Sequence, residues 1–175
     1  KENLIGKAGE GWTYAKYLLQ FERGNAYAPG LRRSLAKTMK IAADQLSGNG
    51  GRLIDDPDFR RKVDEIGVQI AAMEFVELRI FSELSSGQAP GPASSMLKCR
   101  GSELQQAISE LTLEAVGNYA QPLIRNTWEK TNEGRPGPEY AGPAAPYYFS
   151  LRKASIYAGS NEIQRNIMAK AVLGL

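Results

Sequence analysis

The sequence predicts an all-α protein, an antiparallel four-helix bundle, on three observations. Apolar residues recur at steps of three and four in four separate stretches, Gly- and Pro-rich clusters stand between the stretches, and no run alternates apolar and polar residues as a strand would. No internal repeat of roughly 20 to 50 residues points to a solenoid. Four amphipathic helices with short connections bury their stripes most simply against one another.

The first stretch runs from Gly11 to about Gln45, with Tyr14, Leu18 and Phe21, then Leu31, Leu35, Met39 and Ala42, at helical spacing. Pro29-Gly30 should bend or interrupt it, since proline supplies no N–H to the helical ladder. SGNGGRLIDDPDF follows as a loop, and Asp56-Pro57 is a ready helix start. From Phe59 the stripe Val63, Ile66, Ile70, Met73, Ile80 and Leu84 marks a long core-facing helix with one gap at Glu77, about 39 Å long at ~1.5 Å per residue.

After the loop GQAPGP a third helix begins near Ala93, with Leu97, Leu104, Ile108, Leu111 and Ala115 on one stripe and Gly117 at its end. Asn118 to Pro146 has no period and is rich in proline; Tyr119, Trp128 and Tyr140 favour an ordered excursion packed on the bundle. The fourth pattern runs from Tyr147 to Tyr157 and resumes as Ile163, Ile167 and Ala171. Between the two halves Gly159 and Ser160 break the helix: Gly159 tolerates backbone angles other residues avoid, and Ser160 can cap a new N-terminus.

Composition narrows the chemistry. The chain has 175 residues, 42% hydrophobic and 23% charged, which suits a soluble globular domain able to bury a core without staples. A net charge of +3 with scattered Lys and Arg does not indicate a nucleic-acid partner, and no apolar run reaches the ~18 residues of a membrane span. One cysteine and no histidine exclude a disulfide framework, Cys- and His-based metal centres, and Ser-His-Asp or Cys-His catalysis within the chain. Carboxylates must carry any acid–base work. The opening KENLIGKAGEGW lacks both a starting methionine and the apolar core of a signal peptide, and reads as the middle of a longer sequence.

Among the carboxylates Glu22 stands out, because its helical neighbours Leu18, Leu19, Asn25 and Ala26 are apolar or small. Burial there would raise its pKa and suit it to take a proton from carbon; the alternative is a solvated helix glutamate paired with a cation. Arg23, about 100° further round the helix, could bind a phosphate or simply face water. Ser160, Asn161 and Glu162 open the last helix, whose free N–H groups and positive dipole end attract anions and hydroxyls, with plain capping as the alternative.

The string IYAGSNEIQRNIMAKAVLGL resembles the C-terminal signature of acyl-CoA dehydrogenases, Tyr-Glu-Gly-Thr-x-x-Ile-Gln-Arg followed by an apolar helix. ENLIGKAGEGWTYAKYLLQFER is similar to the family's entry into its C-terminal helical domain, and SSMLKCRGSELQQAISELTLEAVG to the third helix of a bacterial branch. The resemblance covers residues 1–175 as that C-terminal domain, without the family's N-terminal helical domain and middle β flavin domain.

It implies an FAD enzyme that oxidises acyl-CoA to trans-2-enoyl-CoA: a glutamate removes the pro-R α-proton, hydride passes from Cβ to flavin N5, and an electron-transfer flavoprotein reoxidises the flavin. It also implies a cytoplasmic bacterial protein, assembled through this bundle as a homo- or hetero-oligomer, a dimer or tetramer. The family's commonest catalytic glutamate falls at Ala158, whose methyl group accepts no proton. A minority of the family carries the base on the first helix, directly before an arginine, and FERGN puts Glu22 before Arg23. By this resemblance Glu22 is the catalytic base, Arg23 contacts CoA, Gly159 lies beside the acyl group, and Ser160, Asn161 and Glu162 contact the flavin.

Two segments depart from the pattern. GNGGRLIDDPDFRRK replaces Arg-x-x-Phe-Gly, and Glu114 to Asn118 replaces Gln-x-x-Gly-Gly. Two other expectations stand beside the dehydrogenase: a non-catalytic helical partner subunit of a heteromeric enzyme, and an oxidase in which oxygen reoxidises the flavin.

Overall fold

The computed structural model describes residues 2–22, 26–123, 134 and 136–174, with the backbone alone described at 20–22. Six α-helices form among them: α1 (Gly11–Glu22), α2 (Ala28–Asp44), α3 (Pro57–Ser85), α4 (Ala93–Val116), α5 (Ala144–Leu151) and α6 (Asn161–Leu173). The described residues hold no strand beyond a single bridge between Leu46 and Arg52. The all-helical bundle is the fold the sequence predicts, with its first and fourth stretches each split in two.

The first split falls upstream of Pro29, which does not bend a continuous helix. Pro29 sits in the first turn of α2, where its missing N–H was already surplus. Tyr27, at the N-cap, offers no side-chain cap. The cap comes from α3 instead: Glu77 Oε1 accepts the backbone N–H groups of Tyr27 at 2.6 Å and Ala28 at 3.0 Å. Glu77 is therefore no gap in the α3 stripe. It is buried with Ile70, Met73 and Ile80, its carboxylate facing the positive end of α2.

α3 starts as its sequence indicates, with Asp56 Oδ1 accepting the N–H groups of Asp58 at 3.0 Å and Phe59 at 3.2 Å. Asp56→Ala removes this cap and should cost about 1 kcal/mol. Thermal unfolding of the variant beside Asp56→Asn, which keeps an acceptor, checks it.

α4 is the hub, packing on α2, α3, α5 and α6. One face carries the expected stripe, Leu97, Leu104, Ile108, Leu111 and Ala115, buried against α2 and α3 with Leu31, Leu35, Ile41, Phe59, Val63, Ile66 and Ile70. Gly117 closes the helix at φ 61°. Its other face is polar and just as buried. Gln106 and Ser109 hold Arg152 after α5: Arg152 donates to Ser109 Oγ at 2.9 Å, and Gln106 Nε2 donates to the carbonyls of Leu151 and Arg152, each at 3.2 Å. Glu114, at the departure from the family pattern, accepts from Lys62 across the α3–α4 seam at 2.8 Å.

The excursion after α4 packs on the bundle through Ala120 and Tyr140, whose OH accepts from Gln45 Nε2 at 2.6 Å, while the ring of Tyr119 lies against Gly137 within the excursion. Trp128 lies outside the described residues.

Two apolar faces remain exposed. On α1, Trp12, Tyr17 and Leu18 face outward; on the far side of α3, so do Val68, Phe75, Leu78 and Phe81. No helix among the described residues is long and apolar enough to cross a membrane.

Candidate functional site

The break between the two halves of the last pattern is a turn of two left-handed residues, Ala158 at φ 55° and Gly159 at φ 85°. Glycine takes this conformation freely, whereas alanine holds it at a cost of about 1–2 kcal/mol. Ala158 is the one non-glycine residue with positive φ among those described. Such a conformation persists only where its surroundings determine it.

Those surroundings are polar side chains from α4 and α6. Gln164, fully buried, donates from Nε2 to the carbonyls of Ala158 at 3.3 Å and Gly159 at 3.4 Å. Ser160 caps α6 by accepting the N–H of Ile163 at 3.4 Å. Asn161 turns its side chain inward, where its Oδ1 accepts from Lys98 Nζ at 2.8 Å and its Nδ2 donates to Ser102 Oγ at 3.1 Å. The Asn161 carbonyl accepts from Cys99 Sγ at 3.6 Å.

This corrects the apolar stripe expected for α6. Ile163 is exposed, as is Ala171, and Ile167 is only half-buried, while the residues α6 buries are the amides Asn161 and Gln164. The helix is seated by its polar residues because its task is to hold the turn.

Glu162 lies on the solvent side of the same first turn. Its own backbone N–H, then the Ser160 hydroxyl, hold its carboxyl below the ordinary range. A negative group thus already sits at the helix end, as the dipole favours.

Glu22 is the last residue of α1; its side chain, Arg23 and Asn25 lie outside the described residues. Of its four expected helical neighbours, Leu19 is half-buried and Leu18 exposed, and Ala26 lies outside the described helices.

The chain re-enters the bundle at Tyr27, whose ring lies over Gly101 of α4; a Cβ at Gly101 would come within 2.5 Å of it. Burial raises the Tyr27 phenol above its ordinary pKa, with smaller contributions from Tyr157, Cys99 and Glu77.

Sequence reasoning singled out Ser160, Asn161 and Glu162 but missed Lys98, Ser102, Gln164 and Tyr27. A signal existed for α4: Ser94, Lys98, Ser102 and Ser109 recur at helical spacing beside the apolar stripe, as a second buried face would.

Of the first-turn N–H groups of α6, that of Ile163 is taken by Ser160 and that of Glu162 by its own carboxylate, which leaves the Asn161 N–H, and Gln164 Oε1 is a buried acceptor without a hydrogen-bond partner among the described residues.

An all-helical bundle whose last helix begins at a strained turn, fixed from beneath by buried polar groups, defines a class of helical domain. Residues 9–173 match the family model for the acyl-CoA dehydrogenase C-terminal domain, and the chain belongs to that family. It is 28% identical over 179 residues to the acyl-CoA dehydrogenase IpdE1 of Mycobacterium tuberculosis (strain ATCC 25618 / H37Rv), covering 98% of this chain and 40% of that protein.

Among solved structures its fold is similar to the ChsE4–ChsE5 complex of Mycobacterium tuberculosis, at a TM-score of 0.73 and 24% identity over 98% of this chain and 42% of that one. It is similar also to PigA with FAD and proline, at a TM-score of 0.75 and 18% identity over 98% of this chain and 40% of that one. The chain thus spans about two fifths of the length of the proteins it matches.

Proposed function

We propose that this chain is the C-terminal bundle of a flavin-dependent acyl-CoA dehydrogenase in which the catalytic base has moved from the 158 position to Glu22. The observation that carries the reading is the Ala158–Gly159 turn. It keeps the strained backbone and buried support of a built site, yet it presents a methyl group where the family's commonest base would be. A carboxylate must then reach the substrate α-carbon from elsewhere, and Glu22, the last residue of α1, stands five residues before Tyr27, whose ring packs on Gly101 of α4.

In this assignment Glu22 takes the α-proton, Arg23 binds the CoA phosphates, and Gly159 leaves room for the acyl chain. Ser160, Glu162 and the backbone N–H of Asn161 hold the cofactor, the Asn161 side chain being committed to Lys98. FAD, when bound, supplies the two-electron acceptor, and an electron-transfer flavoprotein takes the electrons onward. The exposed apolar faces of α1 and α3 suit burial against further protein, which supports a homo- or hetero-oligomer.

A second reading has its own support. Ala158 also suits a non-catalytic partner subunit, and one structure of similar fold is a complex of two different chains, ChsE4 and ChsE5.

The test is anaerobic titration of the full-length protein with a panel of acyl-CoAs while the visible flavin band is followed. Bleaching by at least one acyl-CoA is the expected result. A flavin that none of them bleaches would overturn the dehydrogenase assignment and favour the partner subunit. Oxygen consumption during turnover would assign the electrons to oxygen.

A further inference from the structure

The two residues α6 buries fully are both amides, with Ile167, Met168 and Ala169 half-buried beside them, so its deepest anchors are polar. The partner of one of them is a lysine. Lys98 is 1% exposed, in the second turn of α4, and its ammonium donates to Asn161 Oδ1 at 2.8 Å. Burying an ammonium costs several kcal/mol of desolvation, and an apolar side chain of similar length would pack α6 on α4 without that cost. What an apolar contact would not supply is register, because it is non-directional, whereas a buried polar pair is satisfied at one placement only.

The same turn of α4 serves both sides of the candidate site. Lys98 and Ser102 hold Asn161, three residues after Ala158, while Gly101 between them receives the ring of Tyr27, five residues after Glu22. The relative placement of the Ala158–Gly159 turn and of Tyr27 is therefore measured off a single helical turn.

We propose that Lys98 is a positioning residue: by fixing Asn161, it sets the register of α6 on α4 and holds the Ala158–Gly159 turn in the geometry that receives the flavin and the acyl group. The flavin part of this rests on the function proposed above; the register part does not.

The experiment uses the full-length protein with Lys98→Met, Asn161→Ala, the double variant and Lys98→Gln, which keeps a donor. Two readouts are taken: hydrogen exchange of peptides spanning 156–165, and the FAD dissociation constant. Losing one charge-assisted hydrogen bond corresponds to about a tenfold change, so Lys98→Met should speed exchange across the turn and weaken FAD each by about tenfold. Exchange in α2 and α3 should not change. Lys98→Gln should recover part of both effects, and the double variant should fall short of the sum of the single effects, since the two residues share one contact.

Exchange at the turn within twofold of wild type, uniform loosening of the whole bundle, or additive single effects would each overturn the proposal. If the wild type holds no flavin, the function reading fails by itself, and the exchange arm still decides the register. If exchange responds while FAD affinity does not, Lys98 is a structural tie and the positioning role is lost.

Discussion

Glu77→Leu is expected to destabilise the protein by about 2–4 kcal/mol, a fall in Tm of roughly 5–15 °C for a chain of this length. Leucine matches the volume and suits the apolar surroundings, so the loss comes from the two N–H groups of Tyr27 and Ala28, which lose their acceptor at the start of α2. Each buried donor left unmet costs about 1–3 kcal/mol, less whatever water can recover at a helix end. Glu77→Gln retains an oxygen in the same place and should fall well under half as far. Thermal unfolding of the pair separates the hydrogen bonds from the packing: equal losses would show that side-chain volume, and not the cap, is what α3 contributes here. The local effect should reach the site, because Tyr27 donates to Glu77 through its N–H and covers Gly101 with its ring. In Glu77→Leu the phenol, no longer seated, should ionise closer to the ordinary tyrosine value.

Glu77 also shows what the sequence could and could not reveal. The long helix was legible because Phe59, Val63, Ile66, Ile70, Met73 and Ile80 all follow one stripe, and a carboxylate on that stripe reads as an interruption. Its partners are 50 and 49 residues away and are backbone groups, so no side-chain pattern announces them. The boundary of α3 was legible for the opposite reason: the cap and the N–H groups it serves are two and three residues apart. The helix break at Gly159 and Ser160 was likewise local and was read correctly from a single dipeptide.

α6 is the instructive miss. Ile163, Ile167 and Ala171 keep helical spacing, but the helix turns Asn161 and Gln164 inward and leaves Ile163 in water. Periodicity assumes that the buried face is the apolar one. That assumption fails where a helix is seated by hydrogen bonds, and the partner that decides it, Lys98, lies 63 residues away. The same holds for α4, whose apolar stripe was found while its polar face, the buried Lys98, Ser102 and Ser109 with the half-buried Gln106, was not. In α6 the unread face supports the Ala158–Gly159 turn, and in α4 Lys98 and Ser102 hold Asn161 while Gln106 and Ser109 hold Arg152. Core packing follows a rule that sequence periodicity expresses; the support of a site follows from pairs that only the folded chain brings together.

Glu22→Gln in the full-length protein should slow acyl-CoA-dependent flavin reduction by about 10²- to 10⁴-fold, the usual contribution of a positioned general base, which is roughly 3–5 kcal/mol on the barrier. Glutamine is nearly isosteric with glutamate, so the change removes the basic carboxylate and little else. FAD content, Tm and acyl-CoA affinity are expected to stay near wild type, leaving the loss in the proton-transfer step. Rapid mixing of anaerobic enzyme with a substrate that bleaches the wild type measures the rate. Unchanged bleaching in the variant would remove Glu22 as the base, and with Ala158 unable to serve it would require a carboxylate from another part of the protein or from a partner chain. A variant that loses flavin along with its rate would instead make Glu22 part of the scaffold of the site. Only a slow variant with full flavin fits a base relocated from the turn to Glu22.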